Sequence, residues 1–343
     1  MKLSLFIKNI LAHPLTSIDR IFYNKKRNHF VIMMYHRIIY KDETEIKLQD
    51  GMYTNPDTFK KHLEYLKNKF NIVSLQYISS IKPTKNIAAD NKPFCSITFD
   101  DGWKDFYENA YPILKLYNIC ATVFLPTDYI GTSRIFWTDK LSNVLQKINC
   151  IRNDGMNRKI SSNEYVKKIE SIHGRIDYML DTAAEILKSL TIEDIELVIK
   201  ELAMRWNVDY DIKRKSFLSW DEIHEMHKSG VIYFGSHTKS HHILTTIPEE
   251  RIQDELAQSK DKLLFENVVT PEFIPFAYPN GNYNDRIAKM VEEAGYNLAV
   301  TTEKGWNSVS NNNGGLYKLK RIGIHQDMTS TNAMLACRIY GIY

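Results

Sequence analysis

The sequence predicts an α/β protein that is built around a sheet of parallel strands. Short apolar runs alternate with segments in which apolar residues recur at helical spacing. Several runs, among them 30–35 and 120–125, are apolar throughout, as in strands that are buried on both faces of a parallel sheet. Polar and charged residues follow these runs directly, and parallel folds bind ligands at the carboxyl ends of their strands. About seven or eight strands fit either a (β/α) barrel or an open doubly wound sheet.

The predicted elements alternate along the chain. The strands are expected at 30–35, 72–75, 93–99, 120–125, 231–234, 273–277, 297–301 and 319–324. The helix after the first strand carries apolar residues at every third or fourth position from Phe59 to Phe70. Ser219 and Glu222 predict a capping box at the start of a later helix, and Thr246 is expected to cap the helix that follows it.

Two segments interrupt this alternation. Residues 1–28 predict an amphipathic leader that lies on the protein's own surface or, as the minority alternative, touches the inner membrane. Lys8 and Asn9 break its apolar run and no small-residue cleavage site follows, so a signal peptide is not expected. Residues 135–216 lack proline and show helical patterns, which predict a helical insertion that walls a cleft, contacts a partner or is a plain elaboration. The expected organisation is therefore the leader 1–28, a catalytic domain of 29–134 and 217–330, and the insertion 135–216.

Composition narrows the class of protein. The 343 residues include 45 basic and 41 acidic side chains, for a net charge of +4, and lack a dense basic block with interleaved aromatics, which argues against a nucleic-acid partner. The four cysteines show no C-x-x-C spacing and suit a reducing compartment. No run approaches the roughly 18 apolar residues of a membrane-spanning helix. A cytoplasmic location is expected, with peripheral contact to the inner membrane as the alternative.

Two adjacent carboxylates end one predicted strand. Asp100 and Asp101 follow the apolar run 93–99, and a turn at Gly102 is expected to aim both side chains inward. Neighbouring carboxylates repel each other, and a divalent cation that binds one of them relieves the repulsion. The other carboxylate is then free to move protons. If the pair were only a helix N-cap, it would favour the helix dipole and nothing else.

Two histidines follow another predicted strand far along the chain. The run 235–241, which contains His237 and His241, comes directly after the apolar run 231–234. Histidine is a common zinc ligand, and two histidines with one carboxylate leave a coordination position for water, as catalytic rather than structural sites do. The run Tyr278-Pro279-Asn280 follows a third strand and would reach the same edge of the sheet.

These runs, in this order, resemble the motifs of the polysaccharide deacetylase family, the carbohydrate esterases with NodB homology. The family's TFDDG motif corresponds to 98–102, its H-[ST]-x-x-H motif to 237–241 and its proline loop to 276–281. The resemblance covers about residues 30–130 and 217–325. It favours the barrel, because family members form a distorted (β/α) barrel of about seven parallel strands; here the barrel would carry the helical insertion.

The resemblance also implies a division of labour. Asp101, His237 and His241 would be the metal ligands, and Asp100 would be the general base that takes a proton from water. In the family, the residue after the loop proline donates its backbone N–H to the oxyanion, and that residue is Asn280 here.

Tyr278 and Pro279 are expected beside the substrate in the same loop. Many family members carry an arginine where Ala277 stands, and this arginine positions the general base in them. The candidates to replace it are Arg37 and Arg321.

Two histidines compete as the proton donor to the leaving amine. Family members use a histidine after the last strand, and His325 is the nearest match; His36 at the end of the first strand is the rival. Arg37, next to His36, is expected near the substrate. Trp306 either lines the acetyl pocket or belongs to the core. His242 stands where family members have proline, so it is expected beside the ligands or in solvent.

The expected protein is a metal-dependent hydrolase that removes the N-acetyl group of an amino sugar in a polysaccharide, a lipid-linked glycan or a glycan precursor. Zinc is the expected metal, with cobalt or nickel as alternatives. The expected partner is an N-acetylated glycan, and the oligomeric state stays open. One rival is an O-acetyl esterase or non-sugar amidohydrolase of the same fold. The other is a catalytically inactive glycan-binding module, which the missing family arginine favours.

Overall fold

A computed structural model describes residues 29–43, 49–81, 92–151, 161–210, 215–309 and 315–342. The predicted leader, 1–28, lies outside these ranges and stays a prediction. Among the described residues, no helix is both long and apolar enough to cross a lipid bilayer.

The strands and helices of the described residues alternate as predicted. The strands are β1 His29–Tyr35, β2 Arg37–Ile38, β3 Tyr53–Thr54, β4 Asn71–Ile72, β5 Phe94–Phe99, β6 Ala121–Leu125, β7 Ile232–Ser236, β8 Pro275–Ala277, β9 Leu298–Lys304, β10 Asn307–Ser308 and β11 Leu319–Gly323. The α-helices are α1 Pro56–Lys69, α2 Leu75–Ser80, α3 Tyr111–Tyr117, α4 Trp137–Ile151, α5 Glu164–Glu170, α6 Ile176–Leu187, α7 Ile192–Trp206, α8 Trp220–Lys228, α9 Glu249–Phe265, α10 Asp285–Glu293, α11 Gln326–Thr329 and α12 Asn332–Tyr340. A π-helical turn, Phe106–Ala110, leads into α3.

Seven parallel strands close into a barrel that helices surround. Their order is β1-β11-β9-β8-β7-β6-β5, and β5 pairs back to β1 over six residues. β10 joins β1 antiparallel, and β4 extends the sheet beside β5. Every residue of β5 and β6 is buried, which explains why their sequences are apolar or uncharged throughout. The barrel is therefore confirmed over the open sheet.

The side chains of successive residues in a barrel strand pack in different parts of the core. Val31 and Met33 of β1 belong to the largest hydrophobic cluster, whereas Phe30 and Ile32 belong to another. This division follows from the period of two along a strand, which sends neighbouring side chains to opposite faces of the sheet.

The segment with helical patterns forms four helices that share their own core. Residues from α4, α5, α6 and α7 pack in one cluster that is distinct from the barrel clusters. Leu141, Val144, Leu180 and Ile199 are among its buried members, at 3 % exposure or less. The predicted helices are thus present, and the domain boundaries stay a prediction.

Two local expectations were wrong and one is confirmed. The strand expected at 72–75 ends at Ile72, because the Ser74 side chain accepts a hydrogen bond from the Tyr77 N–H and caps α2. Thr246 does not cap α9, whose N-terminal flanking residue is Pro248 without a side-chain cap. The capping box at Ser219 is present, with both of its hydrogen bonds.

A buried histidine ties α1 to β1 and to the C-terminal part of the chain. His62 Nε2 lies 2.6 Å from the backbone oxygen of Thr329, and its Nδ1 lies 3.2 Å from the Tyr35 hydroxyl. Nε2 therefore donates to the carbonyl, and in the neutral ring Nδ1 accepts from the Tyr35 hydroxyl. Burial lowers the pKa of His62 from 6.5 to about 4.

Candidate active site

A tight turn after β5 carries both acidic residues to the mouth of the barrel. The Asp100 N–H donates to the Tyr35 backbone oxygen at 3.0 Å, which continues the strand by one residue. Asp101 and Gly102 then adopt left-handed backbone angles, with φ of +77° and +64°. The chain therefore turns at Asp101, one residue earlier than expected, at a residue type that tolerates this conformation. A Cβ on Gly102 would lie 2.9 Å from Leu125 Cδ2, so a larger residue here would also displace the Leu125 side chain.

The strand β7 delivers the two histidines to the same end of the barrel. The His237 N–H donates to the Leu125 backbone oxygen at 2.9 Å, and its Nδ1–H donates to the Ala277 backbone oxygen at 2.8 Å. This second bond leaves the Nε2 lone pair for a ligand. Thr238 and His241 both have positive φ, and the Thr238 hydroxyl accepts from the His241 N–H at 2.9 Å. The loop thereby turns His241 back toward His237.

Three candidate ligand atoms converge on one point. Asp101 Oδ1 lies 3.5 Å from His237 Nε2 and 3.2 Å from His241 Nε2, and all three lie within 4.8 Å of one another. Zinc bonds of about 2.0–2.1 Å in tetrahedral geometry place ligand atoms about 3.3 Å apart. The residues present therefore fit a divalent cation of this size. Among the described residues this is the one cluster of its kind.

Trp103 fixes the orientation of the candidate carboxylate ligand. Its indole Nε1–H donates to Asp101 Oδ2 at 2.9 Å, which leaves Oδ1 facing the two histidines. Burial alone would raise the pKa of Asp101, but the neighbouring imidazole rings of His237 and His241 hold that pKa well below its usual range. The carboxylate is therefore ionised, as a metal ligand must be.

The second carboxylate is held apart from this cluster by an arginine. Arg321 Nη1 and Nη2 donate to the two oxygens of Asp100, each at 2.7 Å, in a two-pronged ion pair. Arg321 Nε donates to the Thr301 backbone oxygen at 2.7 Å, which fixes the guanidinium in turn. Burial would raise the pKa of Asp100, but the Arg321 charge lowers it below its usual value. Arg321, of the two arginines considered, therefore orients Asp100.

A cleft of about 150 Å³ opens above these residues. Its polar end contains His36, Asp100, Asp101, His237 and His241. The rest of its wall is mainly apolar and includes side chains of Phe136, Trp137, Leu190, Ile192, Ile195 and Ile243. Several of these belong to the helical segment, which therefore walls the cleft, as one of the alternatives above expected.

The proline loop places one of its three candidate residues in the cleft. Asn280 lines the cleft and has a positive φ of +56°. Gly281 packs so tightly on Thr302 that an added Cβ would lie 1.9 Å from its Oγ1, which fixes the path of the loop. Pro279 is buried, and Tyr278 points into the core, where its hydroxyl donates to the Tyr317 backbone oxygen at 3.0 Å.

Two further candidates lie outside the cleft lining. Arg37 does not reach Asp100: its Nε donates to Asp105 at 2.7 Å, and its guanidinium lies 4.5 Å from the centre of the Trp103 ring. Trp306 donates through Nε1 to the Ile339 backbone oxygen at 2.9 Å and packs against the main core, which is the core alternative for this residue.

The remaining histidines differ in their surroundings. His36 lines the cleft, and burial lowers its pKa. His325 is paired through Nδ1 with Asp327 and is not among the described lining residues of the cleft. His242 is 2 % exposed, with Nδ1 2.6 Å from the Ser240 hydroxyl, so the alternative that it faces solvent was wrong.

Sequence reasoning gave the wall of the cleft as one of several alternatives for the helical segment but did not identify the residues that form it. Lys188, Leu190, Ile192 and Ile195 line it, and only their helical spacing is visible in the sequence. Arg321 was one of two candidates to orient Asp100, and its place next to β5 arises only when β11 and β5 flank β1 in the closed barrel.

Comparisons with known proteins agree with this geometry. A family model described as polysaccharide deacetylase matches residues 88–299, more than half of the chain. The chain belongs to the polysaccharide deacetylase family. Members of this family are hydrolases that act on carbon–nitrogen bonds other than peptide bonds. The resemblance inferred from the three motifs is thus confirmed.

Individual relatives of this deacetylase-family chain are distant. The Bacillus subtilis protein YxkH is 23 % identical over 88 % of this chain and 73 % of its own length. A Staphylococcus epidermidis poly-β-1,6-N-acetyl-D-glucosamine N-deacetylase is 32 % identical over 35 % of this chain and 45 % of its own length. The structure of Streptococcus pyogenes deacetylase PplD, in complex with acetate, is 24 % identical, with a TM-score of 0.55, and the match covers 90 % of this chain and 97 % of that one. The last comparison supports the fold.

Proposed function

We propose that this family member is a metal-dependent N-deacetylase that hydrolyses the N-acetyl group of an amino sugar in a polysaccharide, a lipid-linked glycan or a glycan precursor. One observation carries the proposal: Asp101, His237 and His241 offer three ligand atoms around one point, while Arg321 holds Asp100 beside them. The name of the Staphylococcus epidermidis relative supports an N-acetylated glycan as the substrate class.

The donor set suits a divalent cation, with zinc as the first choice and cobalt or nickel as alternatives. Asp101 Oδ1 and the Nε2 atoms of His237 and His241 would hold it. When bound, such a cation polarises a carbonyl oxygen and makes water more acidic. Trp103 and the Ala277 carbonyl keep two of the ligands in orientation by hydrogen bonds to their remaining polar atoms.

Asp100 is the proposed general base. Each of its oxygens accepts one hydrogen bond from Arg321 and keeps a second lone pair, so either oxygen can accept a proton from a water that attacks the acetamide carbon. Because Arg321 lowers the pKa of Asp100, the carboxylate is ionised at neutral pH and ready to accept that proton. The bidentate contact also prevents rotation of the carboxylate.

The other steps need a donor for the oxyanion and a proton for the leaving amine. Asn280 is the proposed oxyanion donor through its backbone N–H, and its position in the cleft lining supports this role. His36 and His325 remain candidates for the proton donor. The cleft lining supports His36, whereas the family resemblance supports His325.

The size of the cleft supports a sugar substrate. One water molecule needs about 10–15 Å³ of cavity volume, so a cleft of about 150 Å³ has room for about ten water-sized groups. This is close to the size of one N-acetylated hexose whose remaining atoms extend into solvent. We also propose that 29–134 and 217–330 form the catalytic domain and that 135–216 is an insertion, which the separate core of the four helices supports.

The test is acetate release from a panel of N-acetylated oligosaccharides, with and without a chelator. Asp100→Asn is expected to lose turnover and keep its metal, because it contributes no ligand atom. His237→Ala is expected to lose both. His173→Ala, a substitution of an exposed histidine, controls for histidine replacement and should change neither. Turnover by Asp100→Asn at the wild-type rate would refute the assignment of the base.

The same panel separates the rival functions. An O-acetyl esterase or non-sugar amidohydrolase would release acetate from O-acetylated sugars or simple acetamides and not from N-acetylated glycans. An inactive glycan-binding module would bind the oligosaccharides without releasing acetate. Arg321 weakens the case for that module, because Asp100 is oriented despite the alanine at position 277.

A further inference from the structure

A second, smaller cavity adjoins the cleft and is not used by the proposed reaction. It lies between the mouth of the barrel and the helices α4 and α6, and its volume is about 40 Å³. Four residues line both spaces, which makes the cavity a side pocket of the cleft: Gln49, Met52, Trp103 and Thr138. Residues of α4 and α6 supply most of the remaining wall.

Arg37 provides the polar feature of this side pocket. The residue lines the pocket and is 6 % exposed, and its Nη1 has no hydrogen-bond partner, whereas its Nε donates to Asp105. A buried N–H group without a partner is costly, and proteins leave few of them. A ligand atom that accepts a hydrogen bond would satisfy it.

The charges around the pocket favour a neutral acceptor over an anion. The ion pair with Asp105 already offsets the positive charge of Arg37. Asp139 lines the same pocket, so an additional carboxylate would meet repulsion from this side. The oxygen of an amide or hydroxyl group avoids that repulsion and still accepts a hydrogen bond.

The size and lining of the pocket narrow the choice further. With about 10–15 Å³ needed per water, 40 Å³ holds about three to four water-sized groups, which is too small for a sugar ring. An acetamido group has four heavy atoms: a carbonyl oxygen for Arg37, an N–H for the Asp139 carboxylate, and a methyl group. Leu141, Leu180 and Ala184 line the pocket and supply apolar surface for that methyl group.

We propose that this side pocket binds a second acetamido group of the substrate, carried by the sugar next to the one that is deacetylated. This inference rests on the proposed N-deacetylase function. Binding in this pocket makes the activity depend on whether the neighbouring sugar is acetylated. A glycan whose neighbouring sugar has already lost its acetyl group is then a poorer substrate. The products would therefore be glycans in which deacetylated sugars are spaced apart.

The first test uses the wild-type, metal-loaded enzyme and three kinds of β-1,6-linked disaccharide. Each contains at least one N-acetylglucosamine, and the second sugar is N-acetylglucosamine, glucosamine or glucose, in both orders. We expect kcat/KM for acetate release to fall about tenfold when the second sugar lacks the acetamido group, because a site that hydrogen-bonds a group rejects analogues without it. Glucose lacks the acetamido group and carries no amine. The glucose series therefore measures the effect of losing the acetamido group without the positive charge that glucosamine introduces.

A decrease of less than threefold in the glucose series would overturn the inference. Absence of acetate release from every disaccharide and from longer oligomers would instead overturn the proposed function, so the two failures are distinguishable.

The second test fills the pocket. Ala184→Leu adds three carbon atoms at its wall and should bring the preference for the acetylated neighbour close to one. Ala183→Leu adds the same atoms to the next residue of α6, which is also buried but does not line the pocket, and should keep the preference. Thermal melting checks that both variants are folded, and Leu180→Phe replaces Ala184→Leu if that variant is not. A pocket-filling variant that keeps the tenfold preference would show that the preference arises elsewhere.

Discussion

Replacement of Arg321 by methionine is expected to destabilise the fold and to remove activity together. The guanidinium is fully buried and makes both hydrogen bonds to Asp100, which is 3 % exposed. Methionine fills much of the same volume without the charge. Asp100 is then left buried without its partner, so its pKa rises and the protonated form, which cannot act as a base, becomes populated.

The expected loss of folding stability follows from the burial of both Arg321 and Asp100. Removal of one member of a buried ion pair costs about 3–5 kcal/mol, because the other charge stays without compensation. Removal of both charges in Arg321→Met/Asp100→Asn should therefore recover about 1–3 kcal/mol relative to Arg321→Met alone. Activity should fall at least about 100-fold in each single variant, since general base catalysis contributes about that much.

The assay pairs denaturant unfolding with acetate release on the same preparations. Arg321→Lys is the matched control, because it keeps the positive charge and loses the two-pronged geometry; it should retain more stability than Arg321→Met. A double variant that is no more stable than Arg321→Met would refute the coupling between the two residues. Wild-type activity in Arg321→Met would refute the dependence of Asp100 on this arginine.

Three further predictions test other parts of the molecule. Trp103→Phe removes the hydrogen bond to Asp101 and should weaken metal affinity by about 10–100-fold, measured by competition with a chromogenic chelator; unchanged affinity would contradict the orienting role. Of His36→Gln and His325→Gln, the variant that removes the proton donor should lose at least about 100-fold in kcat, and the other should stay within a few-fold; equal kcat in both would leave neither as donor. The neutral state of His62, with its pKa lowered from 6.5 to about 4, means that the unfolded chain binds a proton first as the pH falls. About 3 kcal/mol of stability should therefore be present above pH 6.5 and lost toward pH 4, and urea unfolding of His62→Gln should lack this loss.

Most of the fold could be predicted because buried parallel strands have a distinct sequence pattern. The strand 94–99, for example, differs from its predicted bounds by one residue. The expected strand at 72–75 failed because a local hydrogen bond from Ser74 starts a helix there, and apolar content alone does not reveal such a bond. Closure of the barrel depends on pairing between β1 and both of its neighbours, which are far apart in sequence, and only the family resemblance anticipated it.

The candidate site also contains features that the sequence could predict and features that it could not. Asp100, Asp101, His237 and His241 could be singled out because each belongs to a polar run that directly follows a predicted strand. The separation of the two carboxylates could not, because it depends on a left-handed turn at Asp101 and on Arg321, which is 221 residues from Asp100. The apolar wall of the cleft comes from a segment whose packing against the barrel leaves no trace in its helical pattern.

The position of Arg321 on the last barrel strand has a consequence for protein synthesis. A nascent chain that ends before residue 319 already contains all three candidate ligands and Asp100. It lacks the strand β11, which completes the barrel, and the Arg321 guanidinium, which keeps Asp100 ionised. Asp100 therefore gains its partner, and the barrel gains its closing strand, only after residues 319–323 have been synthesised.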